Sequence, residues 1–224
     1  MSSHKDFSIL LADRLRSILP DGIISDVCPV DNYGYLLSGT ELKQSKNYKL
    51  KRLSQFSTGR YLTKKVLSVL DVESDSISKL SSGAPEWPQG IVGSISHTDS
   101  YCLCAMANQP TVRSLGIDLE RTGQLSFEDA HLFMSDNELN EIKSANNPSI
   151  MLTVAFSIRE SVYKCLNPIY NKWIDYTDAK VEFHKYSDAN KLDVTVKGYE
   201  NLALLKCRFA IIDDMVITSA VMLK

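Results

Sequence analysis

Apolar residues recur along this chain with two different periods. Phe7, Leu10, Leu11, Leu15 and Ile18 keep the three-to-four spacing of an amphipathic helix, which stops at Pro20. A longer helix is predicted from about Lys46 to Leu70, carried by Leu50, Leu53, Phe56, Val66, Leu67 and Leu70, with Gly59 as a weak point. Residues 126–145 and 149–166 read as two more helices. Between the first two, "DNYGYLLSG" has the look of strand and turn, and "DVESDSISKLSSGAPEWPQG", rich in Ser, Pro and Gly, reads as a long irregular loop. "GIVGSISHTDSYCLCAMAN" has strand character on both sides of a polar break at Ser96, His97 and Thr98, a hairpin pattern, and "VRSLGIDLE" is the next strand. "AKVEFHKY", "KLDVTVKG" and "LKCRFAIIDDMVITSAVML" alternate like strands of a meander. The class is mixed α and β, with helix followed by strands in each half.

Composition narrows the picture. A chain of 224 residues with 44% apolar residues can bury a substantial core in one large domain or two small ones. Twenty-five basic against 27 acidic residues leave a formal charge of −2, so no overall basic field exists for nucleic acid or anionic membranes, and any anion site must be local. The five cysteines are odd in number and form no CxxC pair, which argues against a disulfide framework or zinc and favours a reducing compartment. The N-terminal stretch has charges inside its apolar pattern and no h-region, and no apolar run approaches membrane-spanning length. A cytoplasmic protein is expected.

The strand "SLGIDLE" carries the most pointed chemistry. Side chains at i and i+2 of a strand share a face, so Asp118 and Glu120 project together while Ile117 and Leu119 join the core. Two carboxylates this close repel unless a cation neutralises them, and oxygen ligands suit Mg²⁺ or Ca²⁺. Taken alone, the stretch also fits a solvated strand end with Arg121 as counter-charge. In "SIMLTVAFSIRESVYKCL", Glu160 and Lys164 stand at i and i+4, the spacing of an ordinary surface ion pair, yet the rest of the helix is apolar and places Glu160 at a buried edge. Arg52 and Arg60, eight residues apart on one helix, could reach a single extended anion or could be solvated. His97 lies among small residues that would admit a ligand, or it is a structural turn histidine. Glu138 completes the capping box Ser135-Asp136-Asn137-Glu138.

Read in order, "KRLSQFSTGRYLTKKVL", "APEWPQGIVGSISHT", "LGIDLE" and "FSIRESVYKCL" resemble the signature blocks of 4′-phosphopantetheinyl transferases of the enterobactin-synthetase component D and surfactin types, over residues 52 to about 178. The resemblance implies a single monomeric α+β chain of two similar halves in pseudo-two-fold arrangement, residues 1–112 and 113–224. It implies transfer of the phosphopantetheine arm of coenzyme A to a serine of an apo carrier protein, releasing 3′,5′-ADP, with Mg²⁺ as cofactor, in siderophore or other peptide or polyketide synthesis. Asp118, Glu120 and Glu160 match its metal-binding acids. Glu160 and Lys164 match its catalytic pair, and Arg52, Arg60, Ser96, His97 and Lys164 its coenzyme A contacts. Glu138 matches an acid sometimes assigned a metal or base role, and its capping box ranks it second. Arg159 stands where the family usually has Lys, and Gly83 and Ala84 replace a basic residue ahead of the Pro-Glu-Trp-Pro segment, a role Lys79 could take over. Leu166, Ile169 and Tyr170 are the expected carrier contacts. The competing readings are a noncatalytic coenzyme A or carrier-binding protein and a Mg²⁺-dependent phosphohydrolase.

Overall fold

The computed structural model describes residues 2–183, 191–199 and 202–224. Its architecture is α+β. The antiparallel strands β1 (Ile24–Pro29), β2 (Ile91–His97) and β3 (Tyr101–Asn108) form one sheet in the order β1-β3-β2. Strands β4 (Val112–Arg121), β5 (Ala179–Phe183), β6 (Lys191–Val196), β7 (Leu205–Ile212) and β8 (Met215–Leu223) form a second, in the order β4-β8-β7-β6-β5. The helices are α1 (Ser2–Ser17), α2 (Gly39–Ser45), α3 (Leu50–Val69), α4 (Asp136–Lys143) and α5 (Pro148–Tyr170). The C-terminal part of the predicted strand "AKVEFHKY" lies outside the described residues.

Both halves follow one sequence of elements: a strand, a 3-10 turn, a short helix, a long helix and an antiparallel meander whose last strand pairs with the first. β1 thus pairs with β3, and β4 with β8. The likeness extends to individual side chains. Ser38 and Glu41 close a capping box on α2, as Ser135 and Glu138 do on α4. In each box one glutamate oxygen caps the helix and the other accepts a backbone N–H from the chain returning after the long helix, Ile77 at 2.9 Å for Glu41 and Val181 at 3.1 Å for Glu138. Each glutamate also meets an arginine of that long helix. Glu138 Oε1 accepts from Arg159 at 2.7 Å, and Arg60 Nε lies 3.9 Å from Glu41 Oε1. Buried charges of this kind persist only when paired.

The halves are joined in two ways. Leu11, Leu15 and Ile18 of the α1 segment pack with Val27 and Leu103 of the first sheet and Ile117, Leu119 and Ile217 of the second, giving one continuous core. Along the outer edge of β4, the backbone N–H groups of Ile117 and Leu119 donate to Ser94 Oγ (3.0 Å) and Ser96 Oγ (3.3 Å) of β2. Serine hydroxyls therefore satisfy donors that a neighbouring strand would otherwise have to take up.

Some elements differ from the sequence expectation. "DNYGYLLSG" holds no strand, because Asn32 Oδ1 accepts from Gly34 N–H at 2.9 Å and closes an Asx turn that leads into a 3-10 turn at Gly34–Leu36. The strand sits earlier, at Ile24–Pro29. The long helix starts at Leu50 rather than near Lys46, since the capping box at Ser38 organises a separate short helix first. Residues 126–145 form a 3-10 turn at Asp129–Leu132 and then α4.

Candidate active site

The seam between β2, β4 and α5 gathers the polar groups. α5 begins at Pro148, suited to a first helical position, and ends at Asn171 in the left-handed conformation (φ 49°). It lies directly against β4 because residue 116 is glycine: a Cβ there would stand 2.0 Å from the Ser161 carbonyl oxygen. That approach brings the helix face of Ser157, Glu160, Ser161 and Lys164 onto the acids of β4.

Asp118 lies inside this seam, fully buried. Its Oδ1 accepts from Ser96 Oγ (2.8 Å) and Lys164 Nζ (2.7 Å), and its Oδ2 accepts from Ser157 Oγ (2.8 Å). Since the carboxylate only accepts, Ser157 spends its proton there. Thr218 Oγ1, 2.9 Å away, must then donate to Ser157 and accept from Ser161 Oγ at 2.7 Å. The carboxylate is thus held by an oriented hydroxyl chain on one side and an ammonium on the other. Lys164 does not pair with Glu160 as its helix spacing predicts; its ammonium turns to Asp118 and to the carbonyl of Ile117 at 3.3 Å. Arg121, the sequence candidate for counter-charge, pairs instead with Asp214.

Glu120, two residues on, is half-buried. Burial pushes its carboxyl up to about 7, the charges of Asp118 and Glu160 add to the rise, and Lys164 pulls the other way. The three acids therefore share one electrostatic neighbourhood that a single lysine does not neutralise. Among the described residues no three His, Cys, Asp or Glu side chains are pre-assembled around one point. The all-oxygen donor set and the uncompensated negative field nevertheless fit a hard divalent cation. Glu160 Oε1 accepts from the Tyr176 hydroxyl. Burial and the neighbouring Glu160 raise the Tyr176 phenol well above its ordinary value, so it is a donor.

On the first sheet, Arg52 NH1 lies 3.1 Å from His97 Nε2. Arginine can only donate, so His97 accepts there and its other ring nitrogen carries the proton. Burial lowers the imidazole pKa, and the charges of Arg52 and Lys164 lower it further, keeping the ring neutral. Arg60 sits deeper: its guanidinium stacks over the Phe56 ring at 4.6 Å, next to Glu41, with little surface left to solvent. Glu138 is spent on its capping box, on Val181 N–H and on Arg159.

Two openings flank the seam. One, of about 500 Å³, is lined by Lys79, Pro85, Trp87, Glu160, Tyr163 and Lys164; the other, of about 420 Å³, by Lys51, His97, Glu120 and Arg121 among others. Volumes of this order suit a small organic ligand. Lys79 therefore borders the same opening as Glu160 and Lys164. The structure also shows residues that sequence reasoning missed, namely Ser157, Thr218 and Tyr176. For Ser157 a signal existed, since Ser157, Glu160, Ser161 and Lys164 form a polar stripe at helical spacing along an apolar helix.

Two family matches cover most of the chain. Residues 41–107 match the 4′-phosphopantetheinyl transferase N-terminal domain and residues 114–200 the 4′-phosphopantetheinyl transferase superfamily. The chain belongs to the 4′-phosphopantetheinyl transferase family. PptT of Mycobacterium tuberculosis, a transferase of this family, is 25% identical over 93% of this chain and 97% of its own length. Npt of Nocardia iowensis is 29% identical over 59% of this chain, a match spanning 60% of that transferase. Enterobactin synthase component D of Salmonella typhi is 34% identical over 37% of this chain and 35% of its own. A solved holo-acyl-carrier-protein synthase from Thermotoga maritima overlaps 49% of this chain and 62% of its own, with a TM-score of 0.41 and 15% identity. In this member of the family, the seam where Ser96 meets Asp118 and Lys164 lies between the two family-matched regions.

Proposed function

We propose that this transferase moves the 4′-phosphopantetheine group of coenzyme A onto a serine hydroxyl of an apo carrier protein domain and releases 3′,5′-ADP. The observation that carries the reading is the pairing of buried Asp118 with the partly exposed Lys164, flanked by Glu120 and Glu160 and opening onto a cavity on either side. Asp118, Glu120 and Glu160 are the residues that would hold Mg²⁺, and the bound ion would neutralise the pyrophosphate charge of coenzyme A. Lys164, anchored by Asp118 and half-exposed, is placed to steady a phosphate oxygen as charge develops on the leaving group. Glu160 is the candidate to accept the proton of the carrier serine. Arg52, Arg60, Ser96 and His97 are the candidate coenzyme A contacts. A neutral His97 accepts from Arg52 and so holds that guanidinium in place for a phosphate without adding to the local positive charge.

The reading extends to a monomer with halves at residues 1–112 and 113–224, acting in the cytoplasm for peptide or polyketide synthases such as those that make siderophores. Five free cysteines fit a reducing compartment. Among the described residues no helix is long and apolar enough to cross a membrane. The carrier contacts narrow. Leu166 is fully buried in the core of the C-terminal half and is withdrawn as a surface contact, whereas Ile169 and Tyr170 stay half-exposed.

Incubation with coenzyme A, Mg²⁺ and a panel of apo carrier domains tests the reading by carrier mass. A phosphopantetheine-sized gain that vanishes with EDTA, returns with Mg²⁺ and is absent for Asp118→Ala is expected. Coenzyme A binding with no mass gain on any carrier would point to the noncatalytic alternative, and 3′,5′-ADP release without carrier to a hydrolase.

A further inference from the structure

Tyr176 lies in the short turn Tyr176–Asp178 that carries the chain from α5 into β5, outside every motif of the sequence. Its place is fixed from two directions. The ring stacks on Phe156 with centroids 5.8 Å apart and planes 15° from parallel, and Phe156 is itself wedged edge-on against Phe133 at 5.3 Å. The backbone carbonyl of Tyr176 accepts from Arg159 Nε at 3.1 Å. Arg159 cannot swing away, because it also donates to Glu138 Oε1 and, at 2.8 Å, to the carbonyl of Ala155. Ring and backbone together therefore deliver the phenol to one spot. There its hydroxyl donates to Oε1 of Glu160, the residue next to Arg159 on α5.

We propose that Tyr176 is a positioning residue: its hydroxyl fixes the Glu160 carboxylate in the cavity shared with Lys164, and the Glu138–Arg159 pair keeps the tyrosine in reach. The proposal rests on the transferase reading of Glu160. A glutamate side chain on a helix surface has three rotatable bonds, and ordering it costs conformational entropy each time a ligand demands one rotamer. A hydrogen bond already made to one oxygen removes much of that cost and leaves the rest of the carboxylate's acceptor capacity for a cation or a proton. This assigns Glu138 and Arg159 a function without contact to any ligand. They act on Glu160 through Tyr176.

Tyr176→Phe deletes the hydroxyl and keeps the ring stack, so the fold should survive with a melting temperature within about 4 °C of the wild type. Two quantities are read. Calorimetry with saturating coenzyme A and no carrier gives the Mg²⁺ dissociation constant, expected to weaken about tenfold, as losses of such supporting bonds commonly do. Steady-state transfer gives kcat, expected to fall by a similar factor, with KM for coenzyme A changed by less than about twofold. Mg²⁺ affinity and kcat both unchanged in Tyr176→Phe overturn the proposal. So does a variant that melts far below the wild type and loses metal-free coenzyme A binding, since the hydroxyl would then serve the fold. If wild-type protein binds Mg²⁺ with coenzyme A but transfers nothing, and Tyr176→Phe still weakens that binding, the positioning role stands while the transferase reading fails. Mg²⁺ binding indifferent to Glu160→Gln sinks it from the other side.

Discussion

Replacing Gly116 by alanine tests whether the close seating of α5 on β4 builds the site. A Cβ at that position would lie 2.0 Å from the carbonyl oxygen of Ser161, 2.8 Å from the nitrogen of Cys165 and 2.9 Å from the carbonyl carbon of Ser161. All three are backbone atoms of the helix, so no rotamer change relieves the overlap. Cβ contacts under 3.0 Å essentially do not occur, so α5 must retreat by about 1 Å at that turn. Overpacking in a dense core costs about 1–3 kcal/mol, and a clash with helix backbone belongs at the upper end, about 3 kcal/mol. The same retreat stretches two bonds that cross the seam, Lys164 to Asp118 at 2.7 Å and Ser157 to Asp118 at 2.8 Å. A displacement of about 1 Å at reacting groups can lower turnover about 100-fold. Urea unfolding followed by circular dichroism measures the first effect, and phosphopantetheine transfer to an apo carrier the second. Gly93→Ala serves as the comparison. Its added carbon meets Met106 and Trp87 side-chain atoms at 3.0–3.1 Å, groups that can yield, so its cost should be clearly smaller. Wild-type stability and full turnover in Gly116→Ala would refute the idea that β4 and α5 are held together by glycine-dependent contact.

Glu138→Gln leaves the buried Arg159 guanidinium without its carboxylate and should cost about 3 kcal/mol in urea unfolding, with a fall in kcat through Tyr176. Glu41→Gln should carry a comparable stability cost without the fall in kcat; equal kcat losses in both would contradict the assignment of the Glu138 hook to the site. Burial pushes the Glu138 carboxyl up, but Arg159 and two backbone N–H groups outweigh it and hold the folded-state pKa below the ordinary 4.5. Its stabilising contribution is therefore complete above pH 4.5 and disappears as the pH falls through the lower folded value, so stability of Glu138→Gln should decline less steeply as the pH falls below 4.5. Lys164→Ala should lower kcat/KM at least about 100-fold and weaken coenzyme A binding, with partial return in Lys164→Arg; calorimetric coenzyme A affinity unchanged in Lys164→Ala would remove the lysine from the phosphate site.

What the sequence made legible was whatever depends on local spacing. The i, i+2 pairing of Asp118 and Glu120, the core role of Ile117 and Leu119, the hairpin of β2 and β3 and the capping box at Ser135 all follow from positions a few residues apart, and the structure shows each of them, although the hairpin turns at residues 98–100 and keeps Ser96 and His97 inside β2. Partners set by the tertiary fold were not legible. Helix spacing pairs Lys164 with Glu160, but a buried carboxylate 46 positions earlier in the chain outcompetes it, because an uncompensated Asp118 would be costly whereas Glu160 has Tyr176. One readable signal went unused. "SGTE" at Ser38–Glu41 has the same spacing as the capping box at Ser135, and recognising it would have placed α2 and moved the start of the long helix to Leu50.

That second box also bears on why the acids of the site come from the C-terminal half. Glu41 and Glu138 face arginines at corresponding places on α3 and α5, Glu138 bonding Arg159 directly and Glu41 standing 3.9 Å from Arg60 while it bonds Lys64, so each long helix is tied to its short helix through a buried glutamate. The residue after the hooked arginine then decides what each helix offers. After Arg60 comes Tyr61, whose ring stacks on Tyr33 at 4.2 Å and belongs to packing. After Arg159 comes Glu160, with Lys164 one turn on, and these point toward the acids of β4 rather than into a core. A hook that fixes the rotation of a helix about its axis fixes the direction of the next side chain, and the same fastening that stabilises α3 aims a carboxylate on α5. On this argument Arg60 and Arg159 share a structural task. Arg52 beside His97 and Lys79 at the rim of the cavity then become stronger candidates than Arg60 for the phosphates of coenzyme A.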